Sequence, residues 1–404
     1  MNYFFSAGEA SGDLHAAQVI AALRKLDADA HFTFLGGDMM AREAGCEPLI
    51  HYRDMAFMGF TEVIKHLPEI FRNMRVARGA IKSERPDVVV LVDYPGFNLK
   101  LADYARSLGL KTVYYIAPKV WAWKEYRVKT LARVTDRLLS ILPFEPKWFG
   151  SRGLNVDYVG NPSVEEMDRA LAVKESPEEF RLRHGLDSRP LLALVPGSRK
   201  GEIAANLPVM DAVAGRHPEL QAVVAGAPGI SPDLYKKYTR LPVIEGTTLS
   251  LMAQSDVALV TSGTASLECA LAATPQVVCY RSVGWKWAHD LFTHILKIPY
   301  VSLPNLIAGP VDAEARKREN SKRNEPRGAI IPELLVHHCN ADEVDAALTA
   351  ILPGTPGAEK QLRGYAEMRA RLATGESAAR NAARIIHDVA AKAGCGMVKE
   401  DIKE

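Results

Sequence analysis

The sequence predicts two doubly wound α/β domains, and three observations lead there. Short apolar runs rich in β-branched residues alternate with helical patterns along most of the 404 residues. The alternation breaks at "YVGNPSVEEM" (158–167) and restarts with a fresh strand at Leu191. The chain is also too long for one ordinary domain, and two of similar size is the natural division. Strands alternating with helices form parallel sheets covered on both faces.

Taken in order, a first strand at Tyr3–Phe5 leads through "SAGEASGD" (6–13) into a helical pattern at 14–26. Strands follow at 31–35, 87–92 and 111–116, with a helix at 98–108. The second series has strands at 191–195, 221–225, 256–260 and 276–280, and helices at 202–215 and 264–273. The expected domains are 1–160 and 161–350, facing one another across a cleft. Residues 351–404 form a C-terminal helical segment, apolar on one face over 356–393 and frayed from 394. The stretch "VDAEARKRENSKRNEPRG" (311–328) mixes both charge signs and few apolar residues, as a solvated loop does.

Composition is that of a globular protein, with 48% hydrophobic and 24% charged residues. A net charge of +2 favours no class of partner, so an acidic ligand has to be met by local basic groups. The five cysteines contain no C-x-x-C pair, which fits reduced thiols in a cytoplasm. No signal peptide precedes the first strand and no apolar run is long enough to span a bilayer.

Ligands of doubly wound sheets bind beyond the carboxyl ends of the strands. In "SAGEASGD", Gly8 and Gly12 bracket Glu9, and Asp13 adds a second negative charge, so this turn suits hydroxyls rather than a diphosphate. It is not the G-x-G-x-x-G of a dinucleotide site. In "LVDYPGFN" (91–98), Asp93 ends a strand at the same rim, either as general base for a sugar hydroxyl or as a cap for the following helix. The phosphate features lie in the second half. "VPGSRKGEI" (195–203) offers a tight turn at Gly197 and Ser198, then Arg199 paired with Glu202. "TSGTASLECAL" (261–271) sets Ser262, Gly263, Thr264 and Ala265 at a helix N-terminus, with Glu268 one turn on to accept from ribose hydroxyls. Without G-x-x-x-x-G-K-[ST], ATP hydrolysis is not expected.

Two aromatic stretches remain. "YYIAPKVWAWKEYRVK" (114–129) carries Lys119, Trp121 and Trp123, which could stack on bases, meet a phosphorylated and partly apolar ligand, or simply pack. "MAFMGFTEVIKHLPEIF" (55–71), with Met58 and Phe60, reads as membrane-touching, acyl-binding or core. Asp27 and Asp29 sit at the opposite end of the sheet, and His337-His338-Cys339 lacks metal spacing, so neither a metal nor a cofactor is expected.

In their joint order SAGEASGD, DYPGFN, YYIAPKVWAW, LPFEP, YVGNP, VPGSR, SGTASLE and VSLPNLIAG closely resemble the lipid A disaccharide synthases, inverting glycosyltransferases of GT-B architecture. The resemblance implies transfer from UDP-2,3-diacylglucosamine to 2,3-diacylglucosamine 1-phosphate, giving a β(1→6) disaccharide and UDP. It makes Asp93 the base, with Glu9, Ser11 and Asp13 on the acceptor side beside Met58, Phe60, Lys119, Trp121 and Trp123. Arg199 and the Ser262–Ala265 turn would hold the leaving diphosphate, and Glu268 with Asn305 the nucleotide. It further implies peripheral attachment to the cytoplasmic face of the inner membrane and a homodimer with exchanged C-terminal segments; nucleic acid is not an expected partner. The sequence departs from the family in the 311–328 insertion and at Val336, where glutamine is frequent. Another UDP-sugar GT-B enzyme, such as a UDP-N-acetylglucosamine 2-epimerase or a transferase with a soluble acceptor, would lack the apolar 55–71 surface. A non-catalytic lipid- or nucleotide-binding module would not need Asp93, Glu9, Arg199 and Glu268 together.

Overall fold

A computed structural model describes residues 1–55, 66–172, 175–281, 300–309 and 329–397. The chain forms two compact units, Met1–Pro162 together with the segment from Ala373, and Ser163–Leu372.

In the first unit, strands β1 (Asn2–Ala7), β2 (His31–Gly36), β3 (Ile50–His51), β4 (Val88–Val92), β5 (Lys111–Tyr115), β6 (Arg137–Ser140) and β7 (Asp157–Tyr158) make one parallel sheet. Its order is β3-β2-β1-β4-β5-β6-β7. Every residue of β4, "VVVLV", is buried, as a strand covered on both faces must be. Winding reverses between β1 and β4, where Phe4 pairs with Thr33 on one side and Val89 on the other. Loops leaving adjacent strands in opposite directions open a crevice at their carboxyl ends.

The second unit repeats the plan. Strands β8 (Leu191–Val195), β9 (Gln221–Gly226), β10 (Val243–Glu245), β11 (Val257–Thr261), β12 (Gln276–Tyr280) and β13 (Glu333–Leu335) are parallel, in the order β10-β9-β8-β11-β12-β13. Here the reversal lies between β8 and β11.

The C-terminal segment expected as one piece is divided between the units. Helix Pro356–Leu372 belongs to the second, where Gln361 exchanges hydrogen bonds with the Gln276 backbone at 2.8 and 3.0 Å. Helix Ala378–Met397 packs on helix Ala10–Leu26, β4 and β5. Its Ala379, Ala382, Ala383, Ile386, Val389 and Ala390 are buried in the first unit's core. The i, i+3, i+4, i+7 spacing makes one stripe, and its alanines let the backbones approach closely.

Candidate active site

At the first switch point, helix Ala10–Leu26 starts directly after β1, so the residues expected to form a glycine-rich loop are its opening turn. Glu9 is the N-cap residue and half-buried. A side chain at Gly8 would meet the Tyr94 ring at 2.4 Å, so only glycine admits that ring. Asp93 and Tyr94 follow β4 with φ of 45° and 48°, two successive non-glycine residues in the left-handed region. Such backbone persists only when its surroundings hold it. The Asp93 N–H donates to the Tyr115 carbonyl at 3.0 Å. Its carbonyl accepts from the Asn98 amide at 2.8 Å and the Tyr114 hydroxyl at 2.5 Å. The Tyr94 hydroxyl donates to the Met55 carbonyl at 2.7 Å. Tyr94, rather than Asp93, stands at the N-cap of helix Pro95–Ser107.

Burial pushes the Asp93 carboxyl above the usual aspartate range, with Lys119, the Tyr94 N–H and His15 opposing the shift. Lys119 is exposed. Burial also raises the Tyr94 phenol, and the Glu9 charge adds to that rise. Glu9, Asp93, Lys119 and His15 thus lie within electrostatic reach of one crevice.

Two residues expected there are committed elsewhere. Asp13 is only 3% exposed, and its carboxylate accepts from the N–H groups of Gly37, Met39 and Met40 at 2.7, 3.1 and 3.2 Å. It satisfies the open N-terminus of helix Asp38–Ala44 rather than facing sugar hydroxyls. Trp121 is likewise 3% exposed, stacked edge-on against Phe144, with its indole N–H on Glu145 at 2.8 Å. It is core, not a lipid contact. Ser11 is exposed in the first turn of its helix. Met58, Phe60, the charged stretch 311–328 and the side chain of Trp123 lie outside the described residues.

At the second switch point, Gly197 has φ 124°, which turns the chain from β8 into helix Lys200–Ala214. The N–H groups of the turn expected to meet phosphate already have an anion. Glu202 accepts from Ser198 N at 3.1 Å, Arg199 N at 3.3 Å and the Arg199 guanidinium at 2.9 Å. After β11, Gly263 has φ 129° and caps helix Thr264–Leu271, whose first turn carries Thr264 and Ala265 at the surface and rim. Glu268 is half-buried one turn on. The Ser262 hydroxyl donates to the Val301 carbonyl at 3.0 Å.

Asn305, implied as a nucleotide ligand, is fully buried. Its oxygen accepts from Ile330 and Ile331 N–H at 2.8 and 3.1 Å, and its amide donates to Glu333 at 2.8 Å and the Ile331 carbonyl at 3.0 Å. With every side-chain donor and acceptor engaged, it braces the unit. Glu333 completes the brace through the N–H groups of Val301 and Ser302, at 2.8 and 3.1 Å. Val336 has φ 54°, a strained setting for a β-branched side chain.

The residues missed in the sequence are buried polar ties. Asn98 joins the two central strands of the first sheet, accepting from the Ser6 hydroxyl at 2.7 Å and donating to the Ser6 and Val92 carbonyls at 3.2 Å each. Asn206 is its counterpart in the second, donating to the Pro196 carbonyl at 3.1 Å and Thr261 at 3.2 Å and accepting from Arg281 N at 2.8 Å. Each lies in the helix that leaves a switch point, so each lashes together the strands from which the functional loops spring.

The family profile described as lipid-A-disaccharide synthetase matches residues 3–386. The chain belongs to this family. The lipid-A-disaccharide synthase of Myxococcus xanthus is 38% identical over 392 residues, 94% of this chain and 95% of that protein. That of Geobacter sulfurreducens is 33% identical over 378 residues, 91% and 92% of the two chains. Among solved structures, a UDP-GlcNAc 2-epimerase from Neisseria meningitidis bound to UDP-GlcNAc aligns with a TM-score of 0.60 at 13% identity, over 97% of this chain and all of that one. The glycotransferase of kitacinnamycin aligns at 0.55 and 13%, over 96% and 98%. At such identities the structural likeness establishes the GT-B fold alone. Family membership makes the chain a hexosyltransferase of lipid A disaccharide synthesis and disfavours the epimerase alternative.

Proposed function

We propose that Asp93 is the base and Arg199 the chief diphosphate ligand of an inverting transfer from UDP-2,3-diacylglucosamine to 2,3-diacylglucosamine 1-phosphate. The observation that carries this is Asp93 itself: a carboxylate on strained backbone at a switch point, shifted upward by burial. Strain and an altered pKa gather where chemistry is done. Asp93 takes the proton of the acceptor 6-hydroxyl as that oxygen attacks the anomeric carbon. The bond from that carbon to the diphosphate oxygen breaks, the configuration inverts, and UDP leaves with the electron pair. Arg199, Gly197 and Ser198 receive its growing charge with the Gly263–Ala265 turn, each donor worth ~3 kcal/mol by analogy with oxyanion holes. Glu268 holds the ribose. Glu9 and Lys119 serve the acceptor side, Lys119 beside its 1-phosphate.

Membrane contact is part of the proposal. Helix Leu67–Glu84 exposes Leu67 and Phe71 beside Arg72, Arg75, Arg78 and Lys82. A groove of about 490 Å³ runs along it, lined by Phe71, Met74, Arg75, Arg78, Gly79 and Tyr104. Apolar tips among arginines suit an anionic lipid surface, here the cytoplasmic face of the inner membrane. Homodimerisation by exchange of the last helix is also proposed, since a second chain's copy would satisfy the same surface; light scattering measures it.

The test of the reaction is product mass. Incubation with both lipid substrates should yield the disaccharide 1-phosphate and UDP, and Asp93→Ala should form them only at a small residual rate. Turnover of UDP-GlcNAc without the diacylated donor would overturn the assignment.

A further inference from the structure

We infer that the Tyr114 hydroxyl is a positioning group for Asp93, fixing the peptide from which the reacting carboxylate projects. The inference rests on Asp93 being the base. The peptide between Asp93 and Tyr94 joins two left-handed residues, and neither is glycine. Left to themselves such residues relax toward ordinary backbone. Their shared carbonyl is gripped from two sides, by Tyr114 at 2.5 Å and Asn98 at 2.8 Å. The two grips differ in kind. Asn98 also ties Ser6 and Val92, so it serves both central strands at once. Tyr114 sits on β5 opposite Leu91 of β4, and its hydroxyl is spent on this carbonyl.

The ring of Tyr114 is wholly buried in the core beneath helix Pro95–Ser107. Burial raises its phenol well above the usual range, and the Asp93 charge raises it further. It therefore stays a donor across the whole working pH range. Without that donor the Asp93–Tyr94 turn loosens, and the carboxylate loses both its aim and its shelter from water. Lost aim slows transfer, because reacting atoms displaced by a fraction of an ångström forfeit rate. Lost shelter lowers the carboxyl pKa, because burial is what raised it.

The variant is Tyr114→Phe, which keeps the ring and deletes one oxygen. In the full-length protein with both lipid substrates, kcat should fall ~10-fold. KM for each substrate should stay within ~2-fold, since ground-state binding is untouched. The acid limb of the kcat–pH profile should move to lower pH. Added to Asp93→Ala, the change should reduce the residual rate no further, because both act through one group. Wild-type kcat with an unmoved limb would overturn the inference. So would a lower kcat with an unmoved limb that multiplies in the Asp93→Ala background, the mark of general loosening. Near-normal turnover by Asp93→Ala alone would instead remove the base assignment, whatever Tyr114→Phe does.

Discussion

Glu202 grips Arg199 from one helical turn away, its two oxygens shared between the guanidinium and the N–H groups that open the helix. A carboxylate thus occupies the N–H groups and guanidinium proposed to receive the diphosphate. A diphosphate bound there has to displace it and then feel its charge.

Glu202→Gln should accordingly tighten UDP binding. Arg199 is 59% exposed, so solvent screens the pair and its worth is ~0.2–1 kcal/mol. The gain in affinity is therefore at most about fivefold. It should be largest at low salt and shrink as salt rises. Calorimetric titration with UDP checks it. Weaker binding would mean that Glu202 is needed to hold Arg199 in place.

Asp93→Ala should cut disaccharide formation to a small residual rate while UDP affinity stays within ~2-fold, as expected of a group acting only in the transition state. The sign of the pH dependence follows from its raised pKa. The base works ionised, so kcat is lost as pH falls through the folded-state value. That acid limb should lie above the ~3.9 of an ordinary aspartate. A limb at or below it would contradict the burial on which the tuning depends.

Glu145 is fully buried, accepting from the Trp121 indole and paired with the Ser140 hydroxyl, and burial pushes its carboxyl from 4.5 to about 7. An acid whose folded pKa is raised contributes stability below its unfolded pKa and loses it as pH rises through about 7. The loss is roughly 3 kcal/mol at most. Glu145→Gln stays neutral and can still accept from Trp121. Its urea midpoint should match the wild type near pH 5 and exceed it at pH 8. A constant difference across pH would show that Glu145 does not titrate in this range.

Asn305→Ala separates bracing from ligand contact. It strips partners from the part-buried Ile330 N–H, the buried Ile331 N–H and Glu333. The cost should be ~2–4 kcal/mol of stability, at about 1–3 kcal/mol for each orphaned buried group. UDP affinity of the folded fraction should hold within ~2-fold. A large loss of UDP affinity with stability unchanged would restore Asn305 to the nucleotide.

Strands with long buried runs, such as β4 and β8, declare themselves by composition alone. Strands β3, β10 and β13 have only two or three residues, too few for a period to emerge, and are fixed by neighbours distant in sequence. The Asp13 expectation failed for a local reason. Once the helix begins at Ala10, Asp13 falls on the buried stripe with Ala16, Ala17 and Ile20, a pattern hidden by starting it at 14. Trp121 and Asn305 carry no such mark, because the hydrogen-bond partners of their side chains lie 24 or more residues away. The placement of Asp93, Arg199 and Ser262 just beyond β4, β8 and β11 was readable, because each follows a run whose composition marks a buried strand.

The first core contains residues from both extremities of the chain, Tyr3 and Phe5 at one end and Ile386 and Val389 at the other. During synthesis, then, a nascent chain that already holds all seven strands of the first sheet still shows an uncovered apolar face. From Tyr158 to Met397 a further 239 residues must be made before the covering helix is complete, at ~5–20 residues per second. The second unit, made of continuous sequence, can complete itself earlier. The half that is translated first is sealed last, and a nonsense codon just after Leu372 should give an aggregating product rather than a shortened enzyme.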